Sequence, residues 1–174
     1  MKLYLVRHGQ RGKFEKYDTL TPAGVEQAKK LGPYFKNKKI DIVYCSPQKR
    51  ARNTLKYIKP YLEGSPSVKI SRQVRQKGAP DEMGEEVIKK LGIKTDTQEQ
   101  LDKRVLKFLN FLVKNHVNDT ILVSTHKMFI LSVISTLLPS KRKKYIKTPP
   151  ASVTYFELDK KLKVKKFSIG GLKI

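Results

Sequence analysis

The chain has a single cysteine, Cys45, so no internal disulfide can form. Disulfide-stapled scaffolds are excluded, and a reducing, cytoplasmic location is the expectation. Long hydrophobic runs are also missing. The longest uncharged apolar stretch, Met128 to Ser140, has 13 residues, short of the roughly 20 needed to span a bilayer. It reads as a core helix, and no membrane association is expected. The amino terminus reaches Arg7 before the apolar region of a signal peptide can develop, so no export signal is expected. There is no internal repeat, no cysteine or histidine cluster with metal-ligand spacing, and no Gly-x4-Gly-Lys-Ser/Thr loop. No metal or other cofactor is called for.

Negative charge is scarce, with 15 Asp and Glu against 38 Lys and Arg and a net charge of +23 over 174 residues. Lysine supplies 30 of those cations and arginine 8. There is no arginine-rich block and no basic motif interleaved with aromatics, so most of the charge reads as solvated surface and nucleic acid is not the expected partner. A positive field would still draw in phosphorylated ligands. Hydrophobic residues make up 39% of the chain, enough to bury a core, which excludes a disordered basic tail. The length fits one domain over residues 1–174. The positive trend breaks in one place, residues 81–102, which hold seven acids.

The pattern along the chain alternates between strands and helices. Leu3 to Val6 is a short apolar strand, and Gln10 to Leu20 lacks periodicity and reads as a loop. Thr21-Pro22 starts a helix, with Val25, Ala28, Leu31 and Phe35 at helical spacing. Asp41 to Cys45 is a second strand, followed by a helix through Ala51, Thr54, Leu55 and Ile58 to about Tyr61. Val68 to Ile70 is an edge strand, and residues 71–96 carry no legible pattern. A long helix marked by Leu101, Val105, Phe108, Leu109 and Leu112 leads to a strand at Thr120 to Thr125. Met128 to Leu138 is the next helix, and Ser152 to Leu158 with Leu162 to Phe167 form a terminal hairpin. This order predicts a three-layer α/β/α fold with a mostly parallel sheet.

In such a sheet, ligands bind beyond the carboxyl ends of the strands. Three of the predicted strands end in Arg7-His8-Gly9, in Cys45-Ser46-Pro47-Gln48-Lys49-Arg50 and in Thr125-His126, so two histidines and two arginines are expected to converge. An imidazole keeps one nitrogen unprotonated near neutral pH and can attack phosphorus. Arginine offers the planar fork that matches phosphate oxygens. Together they suit phosphoryl transfer without a metal. Taken alone, each of these residues has an ordinary structural reading; the joint placement is what points to a site.

Arg7-His8-Gly9-Gln10, Leu20-Thr21-Pro22-Ala23-Gly24, Ser46-Pro47 with Arg50-Ala51 and Thr54, and Val123-Ser124-Thr125-His126 resemble the histidine phosphatase, or phosphoglycerate mutase-like, superfamily. The resemblance covers essentially the whole chain in order and spacing. It implies that His8 is the nucleophile that becomes phosphohistidine and that Arg7, Arg50 and His126 line the phosphate pocket, with Gln10 a further contact. It also implies a phosphatase acting on a phosphorylated small molecule, a phosphoprotein or a phosphohistidine. Two features depart from the family. Where family enzymes commonly carry Leu-x-Glu, whose glutamate protonates the leaving group, this chain has Val74-Arg75-Gln76, and Gln76 has no acidic proton. Glu82, or Asp81 beside it, is the substitute that the acidic island offers. Lys127 replaces the glycine that usually follows the second histidine.

Two other readings stand beside hydrolysis. A phosphoglycerate mutase-type transferase needs its phosphohistidine shielded from water, and the short 71–96 segment offers little lid. A non-enzymatic binder of nucleic acid or an acidic partner is motivated by the net charge and the missing glutamate. Thiolate chemistry at Cys45 fails on spacing, because a Cys-x5-Arg loop would end at Ala51. Cys45 reads instead as a small buried hydrophobe. His116, at the end of a helix, is expected to serve as a cap.

Overall fold

The computed structural model describes residues 1–12, 18–78, 90, 92, 96–140 and 146–171. Strands β1 (Lys2–Arg7), β2 (Ile42–Cys45), β3 (Ser67–Ile70), β4 (Thr120–Thr125), β5 (Val153–Leu158) and β6 (Val164–Ser168) form one sheet in the order β3-β2-β4-β1-β5-β6. The first four are mutually parallel, and β5 and β6 add an antiparallel edge. Helices α1 (Pro22–Phe35), α2 (Lys49–Ile58), α3 (Gln98–His116) and α4 (Lys127–Leu137) pack on the two faces. The expected three-layer α/β/α fold with a mostly parallel sheet is the observed one.

Strand alternation assigns side chains to the two faces. Leu3, Leu5, Ile42, Tyr44, Ile121 and Val123 point to one side, where Leu101, Val105, Phe108 and Leu109 of α3 and Phe129, Ile130 and Val133 of α4 cover them. Val6, Val43, Cys45 and Leu122 point to the other, against Leu31 and Phe35 of α1 and Ala51, Leu55 and Ile58 of α2. Burying each large aliphatic or aromatic side chain contributes roughly 1.5–3 kcal/mol. Burial on both faces explains why the central strands read as continuous apolar runs. Register puts Leu5 beside Val123 and Val43 beside Leu122, so the carboxyl ends of β1, β2 and β4 finish at nearly the same level.

The helix starts follow capping rules. Thr21 Oγ1 accepts from the Gly24 amide at 3.0 Å, with Pro22 in the first turn. Thr97 and Gln100 form a reciprocal capping box at α3, a signal the sequence reading did not use. One expectation for α1 needs correction: Gly24 is buried and Val25 only half-buried. Helix α1 comes so close to the strand-to-loop exit that a Cβ on Gly24 would lie 2.0 Å from the Gln10 carbonyl oxygen, and one on Gly9 would lie 2.4 Å from the Gly24 oxygen. Only glycine fits at either surface. At the far end, Asp159 Oδ1 accepts from the amides of Lys161 and Lys163 and closes the predicted hairpin. Among the described residues, no helix is long and apolar enough to cross a membrane.

Candidate active site

The first strand delivers Arg7 and His8 to the sheet's carboxyl edge and fixes them through the backbone. The His8 amide donates to the Thr125 carbonyl at 3.1 Å, the Ala151 amide donates to the His8 carbonyl at 3.1 Å, and the Arg7 amide donates to Ser152 at 3.0 Å. The next residue, Gly9, gives its amide to Thr54 Oγ1 at 3.0 Å, and Thr54 in turn donates to the Arg50 carbonyl at 2.9 Å. One threonine of α2 therefore ties the β1 exit to the helix turn that carries Arg50.

Within this frame the His8 imidazole has both nitrogens engaged. Nδ1 donates to the Gly9 carbonyl at 2.7 Å, which leaves the lone pair on Nε2, and Arg50 Nε donates to that nitrogen at 3.3 Å. His8 is buried, and its pKa is pushed down to about 3, chiefly by burial and then by the Arg50 guanidinium, against the opposing pull of the Gly9 hydrogen bond. Its imidazole is neutral at physiological pH, with Nε2 the basic and nucleophilic atom.

His126, at the end of β4, lies beside it, with ring centroids 5.1 Å apart and planes inclined by 59°. It is fully buried, and burial followed by the charge of Arg50 holds its pKa well below the ordinary histidine value. Its Nε2 pairs with Ser46 Oγ at 2.8 Å, while Nδ1 is buried without a hydrogen-bond partner. Such an atom is costly unless a further polar group meets it. Arg7 is anchored by Nη1 donating to the Thr148 carbonyl at 2.6 Å, and Arg50 also ion-pairs through Nη1 with Asp18 Oδ1.

The structure thus brings His8, Arg50 and His126 together and places Arg7 at the same strand end. Gln10 is exposed at the exit of β1, and its main chain is tied to α1, its amide donating to Gln27 Oε1 at 2.9 Å and its carbonyl accepting from the Thr21 amide at 3.0 Å. It braces α1 against the site loop. Glu82, Asp81 and the rest of the acidic island lie outside the described residues. Gln76, in the position where family members commonly carry glutamate, is buried, and its amide donates to Gln48 Oε1 at 2.9 Å.

Sequence reasoning missed three residues as members of the site. Ser46 orients His126, Thr54 connects Gly9 to Arg50, and Asp18 grips Arg50. The signal for the first two was in the motif Ser-Pro-x-x-Arg-Ala with its following threonine; for Asp18 there was none. Cys45 is buried, with its thiol pushed up to about 11 mainly by burial, which agrees with the hydrophobe reading and makes it a poor thiolate. His116 does more than cap a helix, since it bridges Asp119 and Tyr44.

A neutral imidazole nucleophile beside arginines and a second histidine can accept a phosphoryl group and balance its charge. Known proteins similar to this chain include phosphatases. Residues 3–76 and 62–168 match the family model described as histidine phosphatase superfamily (branch 1). A relative from Hydrogenobacter thermophilus, named "Putative phosphoserine phosphatase 2", is 30% identical over 148 residues, 71% of this chain and 72% of its own. Among solved structures, the alpha-ribazole phosphatase of Shigella flexneri superposes with a TM-score of 0.79 at 17% identity, covering 97% of this chain and 95% of that one. The phosphoserine phosphatase of Entamoeba histolytica, in complex with 3-phosphoglyceric acid, gives 0.71 at 23% identity, covering 96% of each chain. On the extent of these matches, the chain belongs to the histidine phosphatase superfamily.

Proposed function

We propose that the protein is a phosphatase that hydrolyses a phosphomonoester through a covalent phosphohistidine on His8, without a metal ion. The observation that carries this reading is the orientation of one ring. Nδ1 of His8 is committed to the Gly9 carbonyl, and Nε2 faces Arg50 at 3.3 Å. The nucleophilic lone pair therefore points at the guanidinium that would hold the phosphoryl oxygens.

In the first step the Nε2–phosphorus bond forms as the bond from phosphorus to the leaving oxygen breaks. Arg50, Arg7 and His126 face the negative charge that the transferring group carries. The leaving oxygen takes a proton from an acid, for which Glu82 is the candidate. In the second step water attacks phosphorus and returns the electron pair to Nε2, releasing inorganic phosphate. Depressed basicity suits both steps, because the imidazole is unprotonated for attack and a good leaving group afterwards.

The relatives named as phosphoserine and alpha-ribazole phosphatases support a phosphorylated small molecule as the substrate class. The test is turnover of p-nitrophenyl phosphate in the presence of EDTA. Activity is expected to persist in the chelator and to fall at least about 10³-fold in kcat in His8→Ala. A His8→Ala variant with undiminished activity, or loss of activity to EDTA restored by a divalent ion, would contradict the proposal.

A further inference from the structure

Asp18, the acidic partner of Arg50, lies outside every sequence motif that pointed to the site, 32 positions before it in the chain. Its carboxylate reaches across to the start of α2, where Oδ2 accepts from the Lys49 amide at 2.9 Å and Oδ1 takes Arg50 Nη1. The two side chains differ in environment: Arg50 is 6% exposed and Asp18 32%. A guanidinium buried to this degree stays charged and needs an opposite charge within contact. The pairing also has a geometric effect. Arg50 is held at Nε by His8 and at Nη1 by Asp18, and a planar fork fixed at two of its nitrogens has one orientation.

We infer that Asp18 is a positioning residue for the reaction: by clasping Arg50 Nη1 and the first amide of α2 together, it sets the guanidinium beside Nε2 of His8, ready to turn its N–H groups to the phosphoryl oxygens when Nε2 attacks. Asp18 touches neither nitrogen of His8 and acts through Arg50. The inference rests on the reading of His8 as nucleophile and adds to it the residue that preorganises the arginine. A guanidinium without this clasp would have to be ordered when substrate binds, and small misplacements of a charged group at a reacting centre are expensive in rate.

A double-mutant cycle on the full chain tests this, with kcat and KM measured on p-nitrophenyl phosphate for Asp18→Ala, Arg50→Lys and the pair. Asp18→Ala is expected to lower kcat/KM by about 30-fold and Arg50→Lys by about 100-fold. If Asp18 acts through Arg50, the double variant is at most about threefold worse than Arg50→Lys alone. Multiplying losses would overturn the inference, since they would mean that Asp18 contributes independently, for instance by capping α2. Asp18→Asn separates the two roles, because it keeps an acceptor for the Lys49 amide and removes the charge. The retained acceptor is expected to restore only part of the melting temperature lost in Asp18→Ala, because Arg50 still lacks its opposite charge, while kcat/KM stays within about threefold of Asp18→Ala. A full recovery of rate in Asp18→Asn would also overturn it. Should Asp18→Ala fail to fold, the cycle is run with Asp18→Asn. The two levels of the account fail differently: an active His8→Ala variant removes the reading of the site, whereas an inactive one together with an additive cycle removes only the role of Asp18.

Discussion

His8 and His116 are the same side chain in opposite electrostatic settings. At the end of α3, His116 meets the Asp119 carboxylate through Nδ1 at 2.7 Å and the Tyr44 hydroxyl through Nε2 at 2.9 Å. At the end of β1, His8 meets a backbone carbonyl at 2.7 Å and a guanidinium at 3.3 Å. Each ring has both nitrogens occupied, so the number of bonds does not distinguish them. The charge of the partner does. His116 lies against a carboxylate and a hydroxyl, whereas the guanidinium beside His8 disfavours the protonated ring and leaves Nε2 unprotonated. Burial acts with the arginine at His8, and His126 shares the same surroundings. What separates His8 from His116 in this chain is therefore the cation beside it and its burial, not how well it is hydrogen-bonded.

The larger consequence of this contrast is in the pH dependence of stability. His8 has a folded pKa of about 3 against an ordinary value of 6.5. As pH falls below about 6.5 the unfolded chain takes up this proton and the folded chain does not, so stability declines from there to about pH 3 and the His8 contribution levels off below. His126, depressed in the same direction, adds to the same decline. Urea unfolding at several pH values should show that His8→Gln flattens the slope by up to about one proton per molecule in this window. An unchanged slope would mean that His8 is not held neutral.

The smaller consequence concerns the other ring. His116→Ala removes two hydrogen bonds at a partly exposed position and is expected to cost about 1 kcal/mol of unfolding free energy. Turnover of p-nitrophenyl phosphate should stay within about twofold of wild type. A loss of activity comparable to that of His8→Ala would erase the distinction between the two regions.

The sheet and the strand-end residues were legible in the sequence because both rest on local pattern. Apolar runs bounded by turn residues mark buried parallel strands, and His8 and His126 stand at the ends of two such runs while Arg50 comes five residues after a third, in the first turn of α2. Thr21 and Pro22 declared the start of α1 by capping chemistry alone. What stayed hidden depends on contacts between distant segments. Val25 fits the helical spacing better than Gly24, but the approach of α1 to the Gln10 carbonyl decides which of them turns inward. Asp18 sits in an aperiodic loop, and only the folded chain shows that it reaches Arg50. The 71–78 stretch has no periodicity because side chains elsewhere hold it. Arg104 of α3 donates to the carbonyls of Gln73 and Arg75 at 2.7 and 3.0 Å, and Thr125 donates to that of Val74 at 2.7 Å. His116 was read as a cap because its partner Tyr44 is 72 positions away.

Of the 38 Lys and Arg that give the net charge of +23, two, Arg7 and Arg50, belong to the proposed site. Lysines spread over the remaining surface draw anions toward the molecule and do not choose among them.

The central claim concerns one atom, Nε2 of His8, and the most direct test is to look for the bond it forms. Mixing the protein with a phosphomonoester, quenching in alkali within the first turnover and mapping the phosphoryl group by mass spectrometry should find it on His8. The adduct should be stable in alkali, lost in acid, and absent from His8→Ala. Turnover with no phosphohistidine at any quench time, or with the phosphoryl group on another residue, would contradict the account.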